Sequence, residues 1–283
     1  MRTLIKKMLP GWLLTILKQV RYVWIVCLFH IFHLLPINRR KVVVCNVWGF
    51  GDNAKYVTEE LLCRKIEIET KIPDAADKKG TLAYTGKDFD FKKLTRYVFG
   101  KEVTGINKDD SLVYSDGEEK IVMTDERLLI TEKPADGQAL FNDSELFLQK
   151  VYDYSGNIGY RKRDLCLELM GGTDEKKQVV LVLKYKNALL FDQTIRADIS
   201  KDGVMILSFP TVEVRKMNPA REIISAYQLL VMSKMPEGTR IKGAALGYKQ
   251  TEEGELYDTP VWRIELGDGK IIYYNAYTGE ELR

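Results

Sequence analysis

The side chains of this chain that could do chemistry are few and poorly spaced for it. His30 and His33 are its only histidines. A spacing of three puts both on one helix face, as a pair of metal ligands requires, but no carboxylate accompanies them and the surrounding YVWIVCLFHIFHLLP is apolar. They read as interfacial or packing residues, and beyond residue 33 a histidine base or imidazole ligand is excluded. Cys27, Cys45, Cys63 and Cys166 show no CxxC spacing, so neither a disulfide framework nor a zinc site is indicated. Glu118-Glu119 and Glu252-Glu253 fall in expected turns and read as solvated loop charge. Ser200-Lys201 and Ser233-Lys234 are sequence neighbours whose side chains do not converge on one reacting atom. Gly49-Phe50-Gly51-Asp52-Asn53 resembles a nucleotide-binding loop but lacks a third glycine and reads as a structural loop. No catalytic, metal or cofactor-binding residue is assigned, no cofactor is expected, and the expectation is a binding or regulatory protein rather than an enzyme.

The residues left for function are contact residues. From Thr259 to Glu280 the sequence TPVWRIELGDGKIIYYNAYTGE reads as a β-hairpin. Trp262, Ile264 and Leu266, then Ile272, Tyr274 and Ala276, occupy the face to be buried, and Gly267-Asp268-Gly269 forms the turn. Tyr273, Tyr277 and Arg263 point outward and form a candidate partner surface. Tyrosine and arginine are favoured anchors at protein interfaces. The competing reading of the tyrosines is sheet packing, because aromatic cross-strand pairs stabilise hairpins by roughly 0.2–1 kcal/mol each.

The chain has 283 residues, of which 45% are hydrophobic and 29% charged, enough for one or two packed cores. Its net charge is only +3, with basic and acidic residues interspersed, which argues against a nucleic-acid-binding face. The exception is the N-terminus, where Arg2, Lys6, Lys7, Lys18 and Arg21 have no nearby acid. There, Trp12–Leu17 and Tyr22–Ile37 are apolar, and Trp12, Trp24, Phe29 and Phe32 are the candidate membrane-anchoring side chains of a segment covering residues 1–41. Two arrangements fit. One is a signal anchor that spans the membrane once, with the globular part extracytoplasmic, its span lengthened by snorkelling Lys18 and Arg21. The other is an amphipathic helix lying peripherally on the cytoplasmic leaflet.

Residues 42–64 read as a strand, the glycine loop and a helix. The rest reads as α+β: two lobes of antiparallel sheet with packed helices, at 65–135 and 136–283, divided at Pro134–Gly137. The first lobe holds a helix capped by Asp90 and stopped at Gly100, then strands at 111–114, 120–124 and 127–131. The second opens with a helix at 145–154 capped by Asp143 or Ser144. Strands follow at 165–170, 179–185, 189–199 and 204–209, with turns at Gly171-Gly172, Lys186-Asn187 and Asp202-Gly203. Asn218-Pro219 is expected to open a helix whose stripe is Ile223, Ile224, Tyr227, Leu230 and Val231. Strands at 241–248 and 256–266 lead into the closing hairpin.

Two resemblances follow from these segments. LPINRRKVVVCNVWGFGDNAKYVTEELL, residues 35–62, resembles the N-terminal part of CDP-glycerol glycerophosphotransferases, the teichoic acid polymerase family. Asn53, Lys55 and Tyr56 match that family's helix start, with Ala54 in place of its usual proline. The family's catalytic histidines and second Rossmann domain have no counterpart, so the resemblance implies at most a truncated or degenerate relative. Over about 66–282, LVLKYKNALLFDQTIRADISKDGVMIL, REIISAYQLL, IKGAALGYKQ and TPVWRIEL with YYNAYTGE resemble the extracytoplasmic region of the YycI (WalI) family, with a PepSY-like closing hairpin. That resemblance implies a non-enzymatic, single-pass membrane protein of Gram-positive bacteria. With a YycH-like co-regulator it would modulate the WalK (YycG) sensor histidine kinase of cell-wall metabolism. If residues 42–62 are foreign to this region, they are expected to pack poorly against it.

Overall fold

The computed structural model describes residue 57 and residues 59–73, 78–250 and 257–282, all of which lie in one compact unit, Gly49–Arg283. The glycine loop, the strand at 42–47, and Trp12, Trp24, Phe29 and Phe32 lie outside the described residues.

Short strands β1 (Glu67–Ile68) and β2 (Lys78–Lys79) precede β3 (Leu82–Gly86). Helix α1 (Phe91–Phe99) follows: the Asp90 side chain accepts from Lys93 N, and Gly100 closes the helix at φ 71°, a left-handed conformation that a Cβ would penalise. Strands β4 (Ile106–Lys108), β5 (Ser111–Asp116), β6 (Glu119–Met123) and β7 (Arg127–Glu132) form an antiparallel meander. Next come α2 (Gly137–Asn142) and α3 (Ser144–Asn157), the latter capped by Asp143, whose carboxylate accepts from Glu145 N and Leu146 N.

Strands β8 (Leu165–Gly172), β9 (Lys176–Tyr185), β10 (Ala188–Ser200) and β11 (Met205–Pro210) continue the sheet, followed by β12 (Val212–Met217) and β13 (Arg221–Glu222). Helix α4 (Ala226–Met232) precedes β14 (Arg240–Lys249), β15 (Tyr257–Leu266), β16 (Ile271–Asn275) and β17 (Glu281–Leu282).

Two features correct the sequence reading of two antiparallel lobes. First, the sheet is mixed: β14 pairs parallel with β10 and with β1. The β10–β14 junction needs Gly247, where a Cβ would lie 2.4 Å from the Phe191 ring and 2.5 Å from the Leu189 carbonyl oxygen. Second, among the described residues every strand except β2 and β13, which pair with each other, belongs to one continuous sheet. β7 pairs with β11 over six registered positions, joining strands on either side of residue 135. The fold is mostly sheet, with the helices packed on one face.

Three local expectations are also corrected. No helix starts at Pro219. Arg221–Glu222 pairs with Lys78–Lys79, Ile224 N donates to Ala276 O, and α4 begins only after Ser225, in a capping box with Gln228. Helical spacing of apolar residues in 223–231 hid the fact that the first backbone groups are taken by other strands. VEVRKM, residues 212–217, is a strand that the sequence reading missed, paired with β3. Strand β8 runs through Gly171 and Gly172, and the turn comes afterwards, where Thr173 Oγ1 accepts from Glu175 N and Lys176 N.

The apolar residues form two cores. The larger packs Leu94 and Val98 of α1 and Phe147, Val151 and Tyr154 of α3 against Ile121, Ile130, Leu181, Ile195 and Leu207. The smaller packs Leu229 and Leu230 of α4 against Trp262, Ile264, Ile272 and Tyr274. Val57 and Leu61 are buried in this second core, and the Arg64 guanidinium donates to the carbonyls of Val231, Ser233 and Met235 at 2.9–3.2 Å. The expected poor packing of 42–62 is therefore corrected for its last residues, whose helical turn closes this core.

Candidate partner surface

The closing hairpin forms as its alternation predicts. Trp262 faces Tyr274 and Ile264 faces Ile272 on the buried side, with Leu266 N bonded to Lys270 O across the Gly267–Gly269 turn. The indole nitrogen of Trp262 donates to the Ile224 carbonyl at 2.8 Å, which ties the hairpin to the entry of α4.

The opposite side brings two of the three candidate contact residues together. Arg263 and Tyr273 are direct cross-strand partners. The guanidinium lies 5.1 Å from the Phe191 ring centroid and donates to Glu168 Oε1 at 2.5 Å, while Tyr273 meets Phe191 edge-on at 5.3 Å. Lys249 Nζ sits 5.4 Å from the Tyr273 ring and 2.5 Å from Asp192 Oδ1. Burial pushes the Tyr273 phenol above its ordinary pKa. The result is a patch in which charges and rings hold each other, its charged side chains 15–33% exposed.

Tyr277 lies elsewhere. Its hydroxyl donates to the Lys79 carbonyl at 2.9 Å, with the Arg221 guanidinium 5.9 Å from its ring. Sequence spacing could not separate it from Tyr273, because the split is made by the β2–β13 ribbon, whose two strands are 142 residues apart in the chain at Lys79 and Arg221.

A larger surface, which the sequence reading did not assemble, runs across the sheet. The pairing registers align Leu169, Val180, Arg196, Ser208, Leu129, Val122, Val113 and Ile106 in one row over eight strands. Six of the eight are apolar. The adjacent row, Val179, Ala197, Leu207, Ile130, Ile121 and Tyr114, is buried under the helices. Because side chains alternate between faces, the first row lies on the face away from the helices. Leu169, Leu129 and Ile106 are exposed, and Ile206 beside them is 44% exposed. Exposed apolar side chains grouped on one sheet face, here interrupted by Arg196 and Ser208, are a feature of interaction sites. Each strand alone shows only alternation, so the row becomes visible only once the registers are known. At the row's end β8 is an edge strand with a bulge between Leu167 and Leu169, and the intervening Glu168 reaches Arg263. Among the described residues no three His, Cys, Asp or Glu side chains cluster as metal ligands would.

Comparison with known proteins places this architecture. A sequence profile of the family described as "YycI protein" matches residues 52–277. A search of curated proteins finds no match. Among solved structures, an uncharacterized protein from Eubacterium rectale is 11% identical, with a TM-score of 0.50 over 84% of this chain and 99% of that one. At that identity the likeness is one of fold alone. The Bacillus megaterium YpeB C-terminal domain is 14% identical, with a TM-score of 0.42 over 84% of this chain and 97% of that one.

Proposed function

The chain belongs to the YycI family, and from that premise we propose that it is a membrane-anchored regulator of a WalK (YycG)-type two-component sensor kinase, acting by protein contact rather than by catalysis. The observation that carries this reading is the family match over residues 52–277. In this proposal the apolar residues 22–37 span the membrane, the sheet unit is extracytoplasmic, and the partners are the sensor histidine kinase and a YycH-like co-regulator.

The surface we assign to contact is the sheet face away from the helices, with Leu129, Ile206 and Leu169 on it and the Arg263–Tyr273 patch at its end. Its support is physical: apolar side chains aligned by registered pairing, with the paired Glu168 and Arg263 at one end of the row. Burial of such a row is favourable at roughly 25 cal/mol per Å² of apolar area.

Two measurements test the proposal. A single cysteine introduced at Ile271, an exposed position near the tip of the closing hairpin, should react with an impermeant thiol reagent in intact cells of a variant whose native cysteines are replaced. Protection there would refute the extracytoplasmic placement. Leu129→Glu with Ile206→Glu should abolish co-purification with the kinase while leaving the melting curve close to wild type. Retained co-purification would remove this face from the contact.

A further inference from the structure

A cleft of about 390 Å³ opens where β3, β12, the segment after α3 and the β9–β10 hairpin meet. Its apolar walls are Leu183, Leu190, Val212 and Val214, and three tyrosine rings, Tyr84, Tyr160 and Tyr185, border it. Two of these rings are fixed through their hydroxyls: Tyr84 donates to Asp258 Oδ2 at 2.5 Å and Tyr160 to the Pro210 carbonyl at 2.9 Å. Four cations, Lys87, Arg161, Lys184 and Lys186, line the cleft against two carboxylates, Asp164 and Glu213. Asp164 already pairs with Arg161 at 2.8 Å.

Lys87 is the informative residue. Its side chain is only 11% exposed, its Nζ lies 4.6 Å from the Tyr160 ring centroid, and the carboxylate it pairs with, Glu213, is 3.8 Å away and 55% exposed. At 3.8 Å that pair is too long for a hydrogen bond, so the ammonium keeps N–H donors to offer a second acid. Gly159, at φ 96°, lies beside the ammonium: a Cβ there would stand 3.6 Å from Lys87 Nζ. A second cavity of about 320 Å³ is also lined by Lys87 and Gly159.

We propose that this cleft binds a small organic anion whose carboxylate or phosphate meets Lys87 and whose body lies against the tyrosine rings and Leu190. The excess of positive charge selects an anion. A volume of 390 Å³ with aliphatic and aromatic walls suits a ring-sized molecule rather than a bare inorganic ion. Tyrosine faces accept an amphipathic body, and Lys184 and Lys186 add positive charge at the rim. This inference does not depend on the regulatory reading, since the cleft shares no residue with the apolar row or the Arg263–Tyr273 patch.

The test is calorimetric titration of the full chain in mild detergent with glucose 6-phosphate, glucuronate and neutral glucose. At least one anion should bind with a millimolar or tighter Kd, and glucose should bind at least about tenfold more weakly. Binding of only the phosphate sugar, or only the carboxylate sugar, identifies the acid that Lys87 receives. Lys87→Met, which keeps the apolar stem, should weaken anion binding by about tenfold or more. Should that variant fail to fold, the rim variant Lys184→Gln with Lys186→Gln should weaken it several-fold. The proposal is overturned if neither anion binds, if glucose binds equally well, or if the folded lysine variants bind as the wild type does.

Discussion

Glu168 on β8 and Arg263 on β15 meet at 2.5 Å, 95 residues apart in sequence, and join the sheet's edge strand to the closing hairpin. With side chains 29% and 15% exposed, the pair sits between the buried and surface regimes. A guanidinium that also covers the Phe191 ring is not replaceable by a lysine, which lacks the planar face.

Removing either partner should therefore cost more than a surface ion pair does. Glu168→Gln and Arg263→Ala are each expected to destabilise by about 1–2 kcal/mol, with a coupling energy near 1 kcal/mol in a double-mutant cycle by urea denaturation. A coupling indistinguishable from zero would show that the two strands are held by packing alone.

Trp262 is fully buried and its indole N–H has one partner, the Ile224 carbonyl. Trp262→Phe removes ring volume and leaves that carbonyl without its donor, so a loss of about 2–3 kcal/mol is expected. A fall in the denaturation midpoint at unchanged m-value would report it; an unchanged midpoint would contradict the role given to this residue.

Ser225 and Gln228 each supply one half of the capping box that starts α4: the Ser225 hydroxyl accepts from Gln228 N, and Gln228 Oε1 accepts from Ser225 N. Ser225→Ala should cost about 1 kcal/mol and Ser225→Asp much less, because aspartate can accept the same bond. Equal stability of both variants and wild type would mean that the second core, and not the cap, fixes the helix start.

Glu132 is buried at the end of β7, where it accepts from the Tyr154 hydroxyl. Desolvation raises its pKa above the ordinary carboxylate value, against the opposing effects of that hydrogen bond and of Lys150. A carboxyl whose folded pKa is raised favours the fold below the ordinary carboxylate range, and that contribution is lost as pH rises through the raised value. Wild-type melting temperature should thus carry a downward component from mildly acidic toward neutral pH that Glu132→Gln removes. Parallel profiles for the two proteins would exclude Glu132 as its source.

Local rules made much of this molecule legible. Asp90 before Phe91 and Gly100 after Phe99 specify α1 because a cap oxygen and a left-handed glycine satisfy the orphan backbone groups within one turn of chain. Alternation around Gly267-Asp268-Gly269 specifies the closing hairpin, and Asp143 specifies the start of α3, for the same reason of short range. The strands of the β5–β7 meander were readable too, since each contacts the next.

What the tertiary structure alone decided is every feature built by distant strands. The parallel β10–β14 junction through Gly247, the pairing of β2 with β13 that withholds 221–224 from the helix, and the β7–β11 pairing across residue 135 depend on backbone groups far apart in sequence. The candidate sites follow the same division. Sequence alternation placed Arg263, Tyr273 and Tyr277 together on an outward face. It could not show that Glu168 and Phe191 complete their patch, that Tyr277 is drawn away to Lys79, or that Leu169, Leu129 and Ile106 share one row. Register is a property of strand pairs, and no single strand carries it.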